Sequence, residues 1–103
     1  MNPKKFQTPY YAVIFTSKLK MKSKAYEEMA SKMFTLAQEQ QGFLGIESAW
    51  EDLGITVSYW KDLESIKIWK ENAAHQIAQE LGRNKWYAAY KVRIAKVERQ
   101  YEF

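Results

Sequence analysis

Residues Phe43–Lys61 read FLGIESAWEDLGITVSYWK. Two runs rich in β-branched and aromatic residues, Phe43–Trp50 and Ile55–Lys61, flank Glu51-Asp52-Leu53-Gly54, a connection of hairpin length that ends in glycine. In the second run Ile55, Val57 and Tyr59 alternate with Thr56, Ser58 and Trp60, the period of a strand with two different faces. The segment is predicted to be a β-hairpin at the middle of a 103-residue chain. What lies on either side of it decides the fold.

Upstream, Tyr10–Ser17 (YYAVIFTS) reads as a strand that is apolar on both faces, Tyr11, Val13 and Phe15 on one and Ala12 and Ile14 on the other. A strand of that kind is covered on two sides. Ser23–Gln41 reads as a helix, because Tyr26, Met29, Ala30, Met33, Phe34 and Ala37 recur at helical spacing. Ser23 suits the N-cap, Glu27 and Glu28 suit the positive end of the dipole, and Gly42 sits where a C-terminal cap belongs. Downstream, Asp62 caps a second helix carrying Ile66, Trp69, Ala73 and Ile77, which runs to about Leu81 and stops at Gly82. A short helical turn, Arg83–Tyr90, is expected next, with Trp86, Tyr87 and Tyr90. The last strand, Lys91–Tyr101, shifts its apolar parity between Ile94 and Ala95, the sign of a bulge.

The order is β-α-β-β-α-β. It predicts an α+β, ferredoxin-like domain: a four-stranded antiparallel sheet with both helices on one face. Residues 1–9 are read as an N-terminal tail and 10–103 as a single domain. Two helices cover one sheet face only. The other is expected to carry residues such as Ala12, Ile14, Leu44, Ile46 and Trp50 or their alternates, and an apolar face of that size is not left in water. The expected solution is a homodimer packed sheet to sheet about a two-fold axis.

Composition narrows the function. The chain is 47% hydrophobic and 16% aromatic with 4 Gly and 2 Pro, which excludes collagen-like and disordered classes. It has no Cys, hence no disulfide framework, thiolate metal site or cysteine nucleophile. The polar start and the absence of a long apolar run predict neither signal peptide nor membrane span, and a cytoplasmic location. The net charge of +4 is concentrated at the N-terminal end, where Lys18, Lys20, Lys22 and Lys24 alternate. With three Arg in the chain and no nucleic-acid motif, these lysines read as a solvated surface, and nucleic acid is not expected as a partner. No phosphate loop, nucleophile elbow, carboxylate pair or metal cluster is apparent.

Beside this reading, the chain resembles the antibiotic-biosynthesis-monooxygenase family of dimeric α/β-barrel proteins. The resemblance rests on the element order, on Gln41-Gly42-Phe43-Leu44-Gly45 entering the second strand, and on Ser58-Tyr59-Trp60-Lys61-Asp62 leading into a helix that carries Trp69 and then His75. It covers Tyr10 to about Tyr101. It implies a homodimer whose sheets close into a shared barrel, with a pocket between sheet and helices in each protomer. Members of the family oxygenate polyketide-type aromatic molecules without metal or flavin, or bind heme and degrade it.

Cofactor-free oxygenation needs a dry aromatic pocket, a proton acceptor and hydrogen bonds to a developing oxyanion. His75, the only histidine, is the candidate proton acceptor, with Trp60 as its catalytic companion. Ser58, Tyr59 and Trp69 are the polar-handled residues expected nearby, and Met33, Phe34, Trp86 and Tyr90 are candidate walls for a small aromatic or hydrophobic substrate. No cofactor is expected on this reading. Heme is the alternative, with His75 as axial ligand; the asparagine that the heme-degrading branch carries on its first strand would fall near Thr16 or Ser17 and is absent. A third reading is a non-catalytic homodimer that binds a small molecule. An unbroken second helix would set His75 roughly 120° from Trp69 around its axis, so a shared pocket would require a kink between Asn72 and His75.

Overall fold

A computed structural model describes residues 7–20, 23–79 and 87–103, with side chains of the second helix described as far as residue 74. The elements run β1 (Tyr10–Leu19), α1 (Lys24–Gln38), β2 (Phe43–Trp50), β3 (Gly54–Trp60), α2 (Leu63–Gln79) and β4 (Tyr87–Val97). All strand pairs are antiparallel and the sheet order is β2-β3-β1-β4. This is the ferredoxin-like arrangement expected from the element order. No helix is long and apolar enough to cross a membrane among the described residues.

Local chemistry sets the helix starts. The Ser23 hydroxyl accepts from the Tyr26 amide at 3.1 Å at the N-cap of α1, an arrangement worth about 1 kcal/mol. Asp62 does the same for α2, its Oδ1 accepting from the Ser65 amide at 2.8 Å and the Ser65 hydroxyl at 2.7 Å. Those two hydrogen bonds hold the Asp62 carboxyl below the usual carboxylate range. α1 ends earlier than its spacing predicts, with Glu39 as C-cap. Gly42 therefore serves the turn into β2 and not the helix end. Its φ is +89°, and a Cβ there would run into the Ser65 side chain.

Two corrections come from the ladder. Tyr87–Tyr90 is not a helical turn: β1 offers ten residues of pairing edge, and β4 begins at Tyr87 to use it. The irregularity in β4 lies at its start, where Leu19 pairs Tyr87 and Lys18 pairs Ala89, so Ala88 is the extra residue. Pairing runs on without a break through Ile94 and Ala95, where the bulge was expected.

The core sits between the sheet and the helices in two clusters. Val13, Trp60 and Ile66 form one, with Tyr11, Phe43 and Trp69 packed against it. Tyr26 and Met29 form the other, with Leu19, Ala30, Met33 and Tyr87. The helix-facing parity of β1 is thus Tyr11, Val13, Phe15, Ser17 and Leu19. The opposite face carries Tyr10, Ala12, Ile14 and Thr16, in register with Tyr59, Val57 and Ile55 of β3. β2 departs from expectation: Leu44 is left out of the register between Phe43 and Gly45, and Ile46 and Trp50 point to the helices while Gly45, Glu47 and Ala49 take the outer face.

Candidate functional site

The strand-to-helix corner Ser58–Asp62 builds one wall of the site. Trp60 is fully buried, because the strand parity that places it under α2 also sets it beneath Ile66. Its indole Nε1 donates to Ser58 Oγ at 2.9 Å, so the buried N–H and the buried hydroxyl satisfy each other. Trp69 stacks on Trp60, with centroids 5.7 Å apart and planes 23° from parallel, and Phe43 meets Trp60 edge-on at 5.5 Å. Three predicted residues, Ser58, Trp60 and Trp69, are therefore together.

The other wall is the aromatic group at the far end of β1. Phe15 stacks on Tyr90 at 5.7 Å and meets Tyr87 edge-on at 5.6 Å, and Tyr87 is edge-on to Tyr26 at 5.7 Å. Met33 belongs here, half-buried in the Tyr26–Met29 cluster. Burial, then a hydrogen bond with Tyr26, pushes the Tyr87 phenol far above its ordinary value, so it remains a neutral hydroxyl at any physiological pH. Between the walls, the helix side of β4 presents Tyr90, Val92 and Ile94, which are 40%, 41% and 46% exposed beside Phe15 and Val13 of β1. This strip, with Tyr90 stacked on Phe15 at one end and Ile94 beside Val13, which packs with Trp60, at the other, is the candidate site. Sequence reading supplied Tyr90, Trp69 and Met33; it missed Phe15, Val92 and Ile94, which the period-two parity from Val13 would have found.

Other candidates fall elsewhere. Tyr59 is not in the groove, since adjacent strand residues point to opposite faces and Trp60 takes the inner one. Its ring meets Tyr10 edge-on at 5.8 Å on the outer face, and its hydroxyl donates to Glu47 Oε1 at 2.6 Å. Phe34 is 44% exposed on α1. Trp86 and the His75 side chain lie outside the described residues. The backbone of α2 runs unbroken through His75, the arrangement in which positions 69 and 75 do not share a helix face.

The outer-face tyrosine yields a pH prediction. Burial first, then the Glu47 hydrogen bond and charge, push Tyr59 from 10.0 up to about 12. The folded state holds this proton more tightly than the unfolded chain, so the contribution is complete below pH 10 and is lost as pH rises from 10 to about 12. In Glu47→Gln, absorbance titration of the tyrosinates should show one phenol moving down toward 10 while remaining above it, because burial persists.

Comparisons with known proteins agree on the class of fold. A point mutant of SnoaB, a cofactor-independent oxygenase from Streptomyces nogalater, superposes with a TM-score of 0.73 over 88% of this chain and 95% of its own, at 7% identity. A candidate antibiotic biosynthesis monooxygenase from Nitrosomonas europaea gives 0.70 over 89% and 93%, at 18% identity. The fold is that of the antibiotic-biosynthesis-monooxygenase proteins. No family model matches the sequence. A closer relationship comes from the curated proteins: the chain is 49% identical over 96 residues to the uncharacterized protein YqjZ of Bacillus subtilis, covering 91% of this chain and 84% of YqjZ. The chain belongs to the family of YqjZ.

Proposed function

We propose that this protein is a cofactor-independent monooxygenase of small aromatic molecules, acting in the helix-side groove with molecular oxygen as co-substrate. The observation that carries the reading is the exposed apolar strip Tyr90, Val92 and Ile94 on the helix side of β4, stacked on Phe15 at its Tyr90 end. A flat apolar molecule laid there would bury the strip and stack on rings already fixed by packing. The similarity in fold to SnoaB supports the chemistry.

In this reading the substrate supplies every electron. A ring-flanked CH2 activated by a phenol becomes C=O, one oxygen atom enters the product and the other leaves as water. The protein's part is to exclude water, hold the ring flat and accept the first proton. His75, the only histidine, is the proposed proton acceptor, and for this α2 must kink between Asn72 and His75 when substrate binds, since the unbroken helix holds positions 69 and 75 about 120° apart. Trp60 acts through position, as the buried support on which Trp69 stacks.

Two copies pack through their outer sheet faces in the same reading. Residues following β4 reach only one end of that face, where the Tyr10 hydroxyl donates to the Gln100 side chain. Ile14, Val57 and Ile55 remain, with Ile55 41% exposed. One cross-strand row runs Arg93, Ile14, Val57, Glu47, positive at one end and negative at the other. A two-fold axis parallel to the strands sets each Arg93 against the partner copy's negative end, whereas an axis along the row sets like charges together.

The test is turnover of a panel of phenolic and hydroquinone substrates under 18O2, with a hemin titration alongside. Product carrying one labelled atom, lost in His75→Ala by 100-fold or so, is the expected outcome. A Soret band that disappears in His75→Ala would instead establish heme ligation. Binding without turnover across the panel would leave a carrier of small molecules.

A further inference from the structure

Ser17 is 2% exposed, and its Oγ has no hydrogen-bond partner among the described residues. It stands in one cross-strand row with Tyr90 of β4 on one side and Gly54 of β3 and Trp50 of β2 on the other. Parity turns the row toward the helices. Gly54 has no side chain to fill its place, and a Cβ built there would run into the six-membered ring of Trp50, so that ring lies over the glycine beside Ser17. Tyr26 of α1 stands edge-on to Trp50 at 6.2 Å and to Tyr87 at 5.7 Å, and Phe15 packs on Tyr87 and Tyr90. The unpartnered Ser17 hydroxyl thus lies on the sheet face where these five aromatic rings gather, three of them tyrosines.

A buried hydroxyl with an unmade hydrogen bond destabilises the fold, and alanine would relieve it. The enclosure is not sealed, because Trp50 is 43% and Tyr90 40% exposed. Tyr90 also belongs to the groove strip, so this end is continuous with the proposed site.

We propose that Ser17 is the polar anchor of the bound ligand: its hydroxyl hydrogen-bonds an oxygen substituent, phenol or carbonyl, on a flat aromatic molecule flanked by the rings of Trp50 and Tyr90. The proposal rests on the aromatic-ligand reading of the groove and adds which ligands it selects and by which atom. Ser17 is a specificity residue here; it takes no part in electron transfer.

The experiment compares 2-naphthol with naphthalene, which share a ring system and differ by one hydroxyl, by ligand-observed NMR on wild type and Ser17→Ala. Wild type should bind 2-naphthol about 2–10-fold more tightly, the value of one net hydrogen bond. Ser17→Ala should keep its affinity for naphthalene and lose the preference. Without ligand, Ser17→Ala should also unfold some 4 °C or more higher, since it removes an unsatisfied group. Equal binding of both probes by wild type overturns the anchor and leaves the aromatic groove intact. Failure of both probes to bind removes the groove reading and the anchor with it. A Ser17→Ala protein that melts lower overturns the anchor as well, because the hydroxyl would then already be satisfied.

Discussion

Trp60→Ala is expected to cost about 3–5 kcal/mol of stability, against a total of roughly 5–15 kcal/mol for a domain of this kind. Trp60 is completely buried, meets Phe43 and Trp69 through its ring, and packs with Val13 and Ile66. Its removal leaves a cavity between β3 and α2 and strips Ser58, itself 7% exposed, of its N–H donor. That orphaned hydroxyl adds to the cavity cost. Denaturant unfolding followed by circular dichroism measures the loss. Trp60→Phe separates the two contributions: it keeps most of the ring volume and loses the hydrogen bond, so its cost should be a minor fraction of the alanine value. An alanine variant within 1 kcal/mol or so of wild type would mean that α2 does not dock on β3 through this residue.

The second large effect concerns assembly. Val57→Lys places a charge at the middle of the Arg93–Ile14–Val57–Glu47 row, where a sheet-to-sheet dimer would have to bury it. Light scattering should report twice the 12.2 kDa of one chain for wild type and a single chain for the variant. Orientation has its own test. Arg93→Glu sets two acidic groups together across a two-fold axis parallel to the strands and should weaken the dimer, and adding Glu47→Arg should restore it. If both single and double variants behave as wild type, the charged row does not meet a second copy. A wild-type particle of one chain mass at micromolar concentration would remove the dimer altogether.

Much of the fold was legible because it is written in short-range pattern. The hairpin at Glu51–Gly54, the helical stripe from Tyr26 to Ala37 and the caps at Ser23 and Asp62 all stand where spacing put them. Where the reading erred, a non-local partner decided. Aromatic residues at 87 and 90 suit one helix face as well as a strand, and only the free edge of β1 draws them into the sheet. Gly42 looked like a helix cap, yet it serves the turn into β2, where its φ is +89° and Ser65 leaves no room for a Cβ.

The site was legible in part for the same reason. Alternation separates Tyr59 from Trp60 without telling which one meets the helices, because the two sides of an isolated strand are equivalent until something packs on one. The extra residue at Leu44 then sends Ile46 and Trp50 inward and Glu47 outward, which no count along β2 reveals. Ser17 is the sharpest case: in the sequence it is a serine near the end of a strand, and its missing partner exists only once β3, β4 and α1 have closed around it. Sequence alone thus determined the order of the four strands and two long helices, since that follows from local periodicity and capping. The choice of inner face, the extent of β4 and the unsatisfied hydroxyl were decided by tertiary structure, because each depends on which surfaces the rest of the chain brings against a strand.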